Sequence, residues 1–351
     1  MRTELYREFL AARFELEVER EAAGDIVSGT LIDRSRAARW PIVAGVPRLV
    51  PPENYSANFG LQWNRFRTTQ LDSATGLNFT FNGFWNNTRW RPRELHGCSV
   101  LEAGSGAGRF TEVLLDAGAR VVSFDYSSAV DANWHNNAAR GELLLFQGDI
   151  YDLPFDAGRF DFVFCYGVLQ HTPDPAAAFR ALFAQLRPGG RMSIDFYRRV
   201  PYPAWYSTPK YLWRPLTTRL PPEQLFRLVS WYVPKWLPLD TALKSVLFRV
   251  PRIGPMLAGL IPVPCWNHLR MGLTRQQRRD WAILNTFDAL GARYDQPLTA
   301  REVEAMVRGP GREVQVSHGA NGVVANITKH GDTAGAPQQA QPRRLRTAAG
   351  R

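Results

Sequence analysis

Residues 104–108 read Gly104-Ser105-Gly106-Ala107-Gly108, directly after the apolar run Val100-Leu101-Glu102-Ala103 and before Arg109-Phe110. Three glycines at a strand-to-helix turn let backbone N–H groups come close to a ligand. Asp125 ends the next apolar run, Val121-Val122-Ser123-Phe124, with Tyr126 beside it. A carboxylate there can accept two hydrogen bonds from vicinal ribose hydroxyls, a pairing that neutral groups match poorly. Asp149, in Gln147-Gly148-Asp149-Ile150, can accept from an exocyclic amine while Ile150 packs on the ring. Glu102 is an acid at the end of the first strand. It suits a ligand's ammonium group and would repel a pyrophosphate.

These residues need a scaffold that brings strand ends together. Strands are expected at Ser99–Glu102, Arg120–Phe124, Leu143–Gln147, Phe160–Cys165 and Arg191–Asp195, with helices between them. That alternation predicts an α/β fold: a doubly wound, Rossmann-like, mostly parallel sheet with ligands beyond the carboxyl ends of its strands. Residues 99–196 form this core and residues 286–329 complete it, with closing strands around Val314–Val316 and Val323–Ile327.

Three further regions surround the core. Residues 1–50 carry short alternating runs, Phe14/Leu16/Val18, Ile26–Ile32 and Trp40–Val50, and predict a small β module packed on the main domain. Residues 51–98 are rich in aromatics. Phe59, Trp63 and Phe66 have helical spacing, which fits either a helix at the core edge or a lid over a cofactor. Residues 197–285 break the α/β rhythm with prolines and six tryptophans, and read as an inserted helical cap. The tail, 330–351, is rich in Gly, Ala, Gln, Pro and Arg and is expected to be disordered.

Charge is concentrated in the cap. The 351-residue chain has a formal net charge of +11, and residues 197–285 hold 14 Lys/Arg against 3 Asp/Glu. The three cysteines (Cys98, Cys165, Cys265) are scattered and form no CxxC pair, so no disulfide framework or zinc site is indicated. The charged N-terminus is not a signal peptide, and the apolar run Ile253–Trp266 is too short and too broken by Gly and Pro to span a bilayer. A cytoplasmic location, with peripheral membrane contact through the basic cap, is the expectation.

A nicotinamide dinucleotide requires G-x-G-x-x-G. Counting from Gly104, the sixth position is Arg109, so the pattern fails. The set of segments instead resembles the class I S-adenosylmethionine-dependent methyltransferases, of the type 11 group that includes quinone-biosynthesis enzymes. The matching stretches are 101–110, Asp125, Gly148-Asp149-Ile150, 160–172 and Leu186-Arg187-Pro188-Gly189-Gly190. The resemblance implies S-adenosylmethionine as cofactor. Gly104, Ser105, Gly106 and Gly108 would admit its methionine part, with Glu102 supporting that pocket. Asp125 and Tyr126 would sit at the ribose, and Asp149 with Ile150 at the adenine.

The N-terminal module resembles the small zinc-ribbon-derived domain attached to some methyltransferases. Its loop, residues 33–39, carries no Cys or His, so no metal is expected. Its use is then structural or in docking a partner.

Methyl transfer from a sulfonium mainly requires alignment, with a base needed only when the acceptor must lose a proton early. His171, in Leu169-Gln170-His171-Thr172, is the candidate base; the alternative is a loop-positioning role. Tyr166 is expected to hydrogen-bond the methionine part. Asp195 could orient an acceptor or simply face a loop, and Cys165 is expected in the core. The acceptor is expected to be a small acidic or lipid-linked metabolite, methylated on oxygen. Two alternatives stay open: an RNA methyltransferase using the basic aromatic cap, for which nucleic acid is the less favoured partner, and a non-catalytic cofactor-binding scaffold.

Overall fold

A computed structural model of the chain describes residues 1–199, 210–250, 253–259, 272–319 and 322–331. The N-terminal helix α1 (Thr3–Phe9) precedes an antiparallel four-stranded sheet of β1 (Phe14–Ala22), β2 (Asp25–Asp33), β3 (Arg39–Val43) and β4 (Val46–Pro47). Next come α2 (Ala57–Arg65), the single turn α3 (Asp72–Thr75), α4 (Phe79–Thr88) and α5 (Pro92–Leu95). The core then runs β5 (Ser99–Ala103), α6 (Arg109–Asp116), β6 (Arg120–Asp125), α7 (Val130–Asn137), β7 (Leu143–Gln147), β8 (Phe160–Cys165), α8 (Pro175–Ala184) and β9 (Leu186–Phe196).

The cap supplies α9 (Lys210–Thr217), α10 (Pro222–Leu247), α11 (Ile253–Gly259) and α12 (Arg275–Gly291). The chain returns through α13 (Ala300–Val307), β10 (Arg312–Gly319) and β11 (Gly322–Lys329). The main sheet has the order β10-β11-β9-β8-β5-β6-β7. Strands β5 to β9 pair in parallel, and β11 runs antiparallel to both β9 and β10. The chain switches direction between β5 and β8, so their carboxyl ends open a crevice there.

Alternation along the strands builds two cores. Leu101, Ala103, Val122, Phe124 and Leu144 face one side with α8 and α13. Val100, Val121, Leu143 and Leu145 face the other, beneath Phe84 of α4, Leu114 of α6 and Val130 of α7. A sheet covered on both faces needs the near-continuous apolar runs seen in the sequence.

The N-terminal module shares the first core. Phe9 stacks on Phe160 at 5.5 Å, and the Leu49 N–H donates to the Gln147 carbonyl at 2.8 Å, at the β7 edge. Asp33 in its loop is buried and accepts from Arg13 Nε and Nη2, and from the Ser35 N–H and Oγ. Its oxygens are thus spent inside the module. Among the described residues no group of three His, Cys, Asp or Glu could hold a metal ion.

Several expectations need correction. Helix α1 was not anticipated: its buried Leu5, Tyr6 and Phe9 are too few to set a clear period. No helix joins β7 to β8. Residues 148–159 cross in turns instead, and Phe9 of α1 packs edge-on against Phe155 there. Strand β9 begins at Leu186 rather than Arg191, because the segment read as a turn pairs with Phe160 before a register shift. Helix α12 runs through residue 285, so the cap boundary drawn there cuts a continuous helix. The expected tail lies, from residue 332, outside the described residues, as do Trp205, Cys265 and Trp266.

Candidate active site

A cavity of about 1390 Å³ lies at the carboxyl ends of β5, β6, β7 and β8. That exceeds the roughly 300–1,000 Å³ of a single small-molecule pocket. Its floor is the glycine turn. Gly104, Gly106 and Gly108 all have positive φ, at 71°, 53° and 86°. A Cβ on Gly104 would stand 2.1 Å from Val168 Cγ2, and one on Gly106 would stand 3.1 Å from the Trp63 indole. Backbone and neighbours therefore close on this loop in a way that only glycine allows.

The loop is held from beneath by buried polar groups. The Gly106 N–H donates to Asp125 Oδ2 at 2.9 Å, while Asp125 Oδ1 accepts from the Ser127 N–H and Oγ. Thr111 Oγ1 donates to Glu102 Oε2 at 2.5 Å, Ser123 Oγ donates to the same oxygen at 2.8 Å, and Asn133 Nδ2 donates to Thr111. Burial, only partly offset by these hydroxyls, raises the Glu102 carboxyl to about 7. Burial also raises Asp125, against the pull of the Ser127 and Gly106 donors.

The cavity walls come from outside the core. Helix α2 and the residues before it bring Tyr55, Phe59 and Trp63. Tyr55 lies 4.9 Å from the Tyr126 ring. The cap brings Trp281 and Asp288 on α12, and Lys210 with Tyr211 at the start of α9. Gln62 Nε2 donates to Asp288 at 3.3 Å, and Lys210 pairs with Asp295 at 2.6 Å. Arg214 anchors α9 by donating to the Ala289 and Ala292 carbonyls at 3.0 and 2.7 Å. The aromatic helix expected over residues 59–66 is thus both an edge of the core and a wall of the cavity, but its last residue, Phe66, lies just past the end of α2.

His171 sits on a one-turn 3-10 helix after β8, buried between Phe59 and Tyr197 with ring centroids 5.3 Å from each. Its Nδ1 lies 2.8 Å from the Tyr294 carbonyl oxygen. A carbonyl only accepts, so Nδ1 carries the proton when the ring is neutral and Nε2 presents its lone pair. Nε2 is buried and has no hydrogen-bond partner. An unpaired acceptor in a cavity wall can take a proton from a reactant.

The structure places most of the expected residues at the cavity: Gly104, Ser105, Gly106, Asp125, Tyr126, Asp149, Ile150, Tyr166 and His171 all line it. Glu102 and Gly108 do not. Glu102 shares its side of the sheet with Val100 and is covered by α6, so it braces the turn instead of meeting a ligand. Gly108 opens α6 under Asn133 and Asn137, where a Cβ would come within 2.2 Å of Asn133 Oδ1.

The expected bidentate role of Asp125 is reduced. Three of its roughly four acceptor positions are taken by Gly106 and Ser127. The role open to Tyr166 is narrowed to accepting a hydrogen bond. Asn326 Nδ2 donates to the Asn87 carbonyl, and Ser193 Oγ donates to Asn326 Oδ1 at 2.6 Å. The Tyr166 hydroxyl, 2.8 Å from Ser193 Oγ, must then donate to it. Its proton is spent within the sheet, and only acceptor capacity remains for a ligand. Asp195 lines the cavity and accepts from the Gly167 N–H at 2.5 Å.

Sequence reasoning missed Arg109, Tyr197, Asp288 and Tyr294. Arg109 adjoins the glycine turn and could have been found by that proximity. Tyr197 directly follows β9 and could have been found the same way, whereas Asp288 and Tyr294 come from distant segments that carry no local signal.

Residues 101–194 match a family model described as a methyltransferase domain. The chain is 32% identical over 111 residues to a ubiquinone biosynthesis O-methyltransferase of Xanthomonas euvesicatoria, covering 31% of this chain and 46% of that protein. It is 36% identical over 107 residues to the protein of that name from Coxiella burnetii, covering 30% and 46%. The chain thus spans a little under half the length of the curated relatives it matches. Among solved structures, a SAM-dependent methyltransferase from Aquifex aeolicus is similar with a TM-score of 0.39 and 12% identity, over 79% of this chain and 98% of that one. Magnesium protoporphyrin IX methyltransferase from Synechocystis is similar with a TM-score of 0.42 and 15% identity, over 78% and 96%.

Proposed function

We propose that the chain is an S-adenosylmethionine-dependent methyltransferase that methylates an oxygen of a small acidic or lipid-linked acceptor, with His171 as the base. The observation that carries this reading is His171, which lines the cavity beside the glycine turn and whose Nε2 has no hydrogen-bond partner. The methyltransferase domain over residues 101–194 supports the reaction class, and the relatives named as O-methyltransferases support oxygen as the acceptor atom.

The residues present fit the cofactor. Gly104, Ser105 and Gly106 line the cavity with a turn that carries no side chain larger than serine, and the buried Ser105 hydroxyl has no partner. Asp125 keeps one acceptor position on Oδ2 for a ribose hydroxyl. Asp149 Oδ1 accepts from the Tyr151 N–H, and Oδ2 is available to an exocyclic amine. Ile150 and Tyr126 offer faces for a base. Tyr166 retains acceptor capacity for an ammonium group.

When bound, this cofactor supplies an electrophilic methyl group on a sulfonium. The chain's own part is positioning and proton handling. Phe59 and Tyr197 fix the His171 ring, and the Tyr294 carbonyl fixes its tautomer. Nε2 can then receive the hydroxyl proton of an acceptor as its oxygen becomes nucleophilic. The zinc-ribbon resemblance of the N-terminal module is read as structural, because Asp33 is consumed by Arg13 and Ser35.

The test is to incubate the protein with methyl-labelled S-adenosylmethionine and, separately, a lipid extract, a polar metabolite extract and total RNA. Label in either of the first two, located on oxygen by mass spectrometry of the isolated product, supports the reading. Label in RNA alone, or in none while the cofactor binds, overturns it.

A further inference from the structure

We infer that the exposed apolar and basic face of α10, with α11 packed beside it, docks on an anionic lipid surface. This inference stands apart from the methyl-transfer reading, because docking is measured without turnover. Exposed large apolar side chains are unevenly spread. Among the described residues, 14 of the 19 lie between Tyr211 and Leu257. On α10 they form one stripe, Leu228, Trp231, Leu239, Leu243 and Val246, with Lys235 in the gap between Trp231 and Leu239. The spacing of three or four residues keeps all of them on one side of the helix. Trp231 and Val246 are 62% and 61% exposed, and Leu216 on α9 is 63% exposed.

This stripe is not the face that holds the cap together. Leu225, Val229, Val233 and Leu237 are buried against Ala282, Ile283, Phe287 and Leu290 of α12. Helix α10 therefore carries two apolar faces, of which the fold uses one. Leaving the second in water is unfavourable, and a patch of this extent marks an interaction surface.

The charges select the partner. Residues 210–259 hold eight Lys/Arg and two Asp/Glu. Both acids are engaged: Asp240 is buried and paired with Lys244, and Glu223 lies 3.5 Å from Arg65. Arg219, Arg227, Lys235 and Arg249 are exposed and form no ion pair among the described residues. Lys235 Nζ lies 4.0 Å from the Trp231 ring centroid. Tryptophan beside Lys/Arg, with aliphatic side chains between, suits the headgroup boundary of a bilayer, and the basic excess complements anionic lipid. No described helix is long and apolar enough to cross a membrane, so the contact lies in the plane of the surface. Helix α9, at whose start Lys210 and Tyr211 line the cavity, packs on the same α12 as α10.

The experiment is flotation of the full chain with vesicles of phosphatidylcholine alone and of phosphatidylcholine with phosphatidylglycerol, in low and high salt. Binding is expected only to the anionic vesicles and to fall with salt. Trp231→Glu/Leu239→Glu/Val246→Glu, checked by circular dichroism and thermal midpoint, is expected to bind at least about tenfold more weakly. Lys235→Glu/Arg249→Glu leaves the apolar stripe intact and is expected to weaken anionic binding by a similar factor. Absence of wild-type binding, or binding unchanged in both variants, overturns the inference. So does a concentration-dependent dimer, seen by light scattering, that the triple variant dissolves in the absence of vesicle binding; that result assigns the face to a second copy of the chain.

Discussion

His171 Nδ1 lies 2.8 Å from the carbonyl oxygen of Tyr294, across 123 residues of sequence. The contact leaves the lone pair of the neutral ring on Nε2, which is buried without a protein partner in a residue that lines the cavity. Tyr294 thus decides which nitrogen of His171 can accept a proton, although it contributes only backbone.

Replacing His171 should therefore separate chemistry from binding. His171→Gln is expected to lower methyl transfer by about 10²–10⁴-fold, the usual worth of a positioned base. Cofactor affinity should stay unchanged. Formation of S-adenosylhomocysteine with whichever extract sustains the wild type reads the first, and calorimetry reads the second. Equal turnover in the variant would leave His171 with the loop-positioning role alone.

Gly104 combines two constraints that substitution can separate. Its φ is +71°, and a Cβ would meet Val168 Cγ2 at 2.1 Å. Gly76 has the same φ but open space around it. Gly76→Ala should cost about 1 kcal/mol from backbone strain alone. Gly104→Ala should cost about 2–4 kcal/mol and abolish cofactor binding, because the loop must move. Shortening Val168 to Ala in the same chain should restore part of both. Denaturant melts and cofactor titration of the three variants beside wild type check this, and equal costs at the two glycines would contradict it.

Glu102 should make stability fall as pH rises. Its folded carboxyl titrates at about 7, above the ordinary 4.5, because burial disfavours the charge. The folded state thus holds more protons than the unfolded state between these values. The contribution is fully present below about 4.5 and lost as pH climbs through about 7. Glu102→Gln removes it. The stability of the variant relative to wild type should improve by roughly 3 kcal/mol, in order of magnitude, between about pH 5 and pH 8. Thermal melts of both proteins across that range provide the measurement. A pH-independent difference would place the Glu102 carboxyl near its ordinary value.

The parts of the site legible in the sequence are those built by local strand–turn–helix pattern. The glycine turn, Asp125, Asp149 and Ile150 each follow an apolar strand run, and that position alone puts them at the carboxyl edge of a parallel sheet. The side of the strand on which an acid falls was also available in principle. Glu102 shares parity with Val100, but only the seating of α6 shows that this side is closed. Asp288 and Tyr294 could not be read, because packing of α12 through Gln62–Asp288 and Arg214 brings them in from distant segments. Local pattern likewise overstates regularity where another element takes a place. The β7–β8 crossover lacks its helix because α1 already fills that side of the sheet.

The most direct test of the account is calorimetric titration of wild type and Asp125→Ala with S-adenosylmethionine, with NADH as control. The account predicts micromolar binding of S-adenosylmethionine and none of NADH. It also predicts a loss of about 10–100-fold in Asp125→Ala, because a charge-assisted acceptor is removed and the Gly106 N–H loses its partner. Binding of NADH, or full-strength binding of S-adenosylmethionine by the variant, would contradict the placement of the cofactor on the glycine turn.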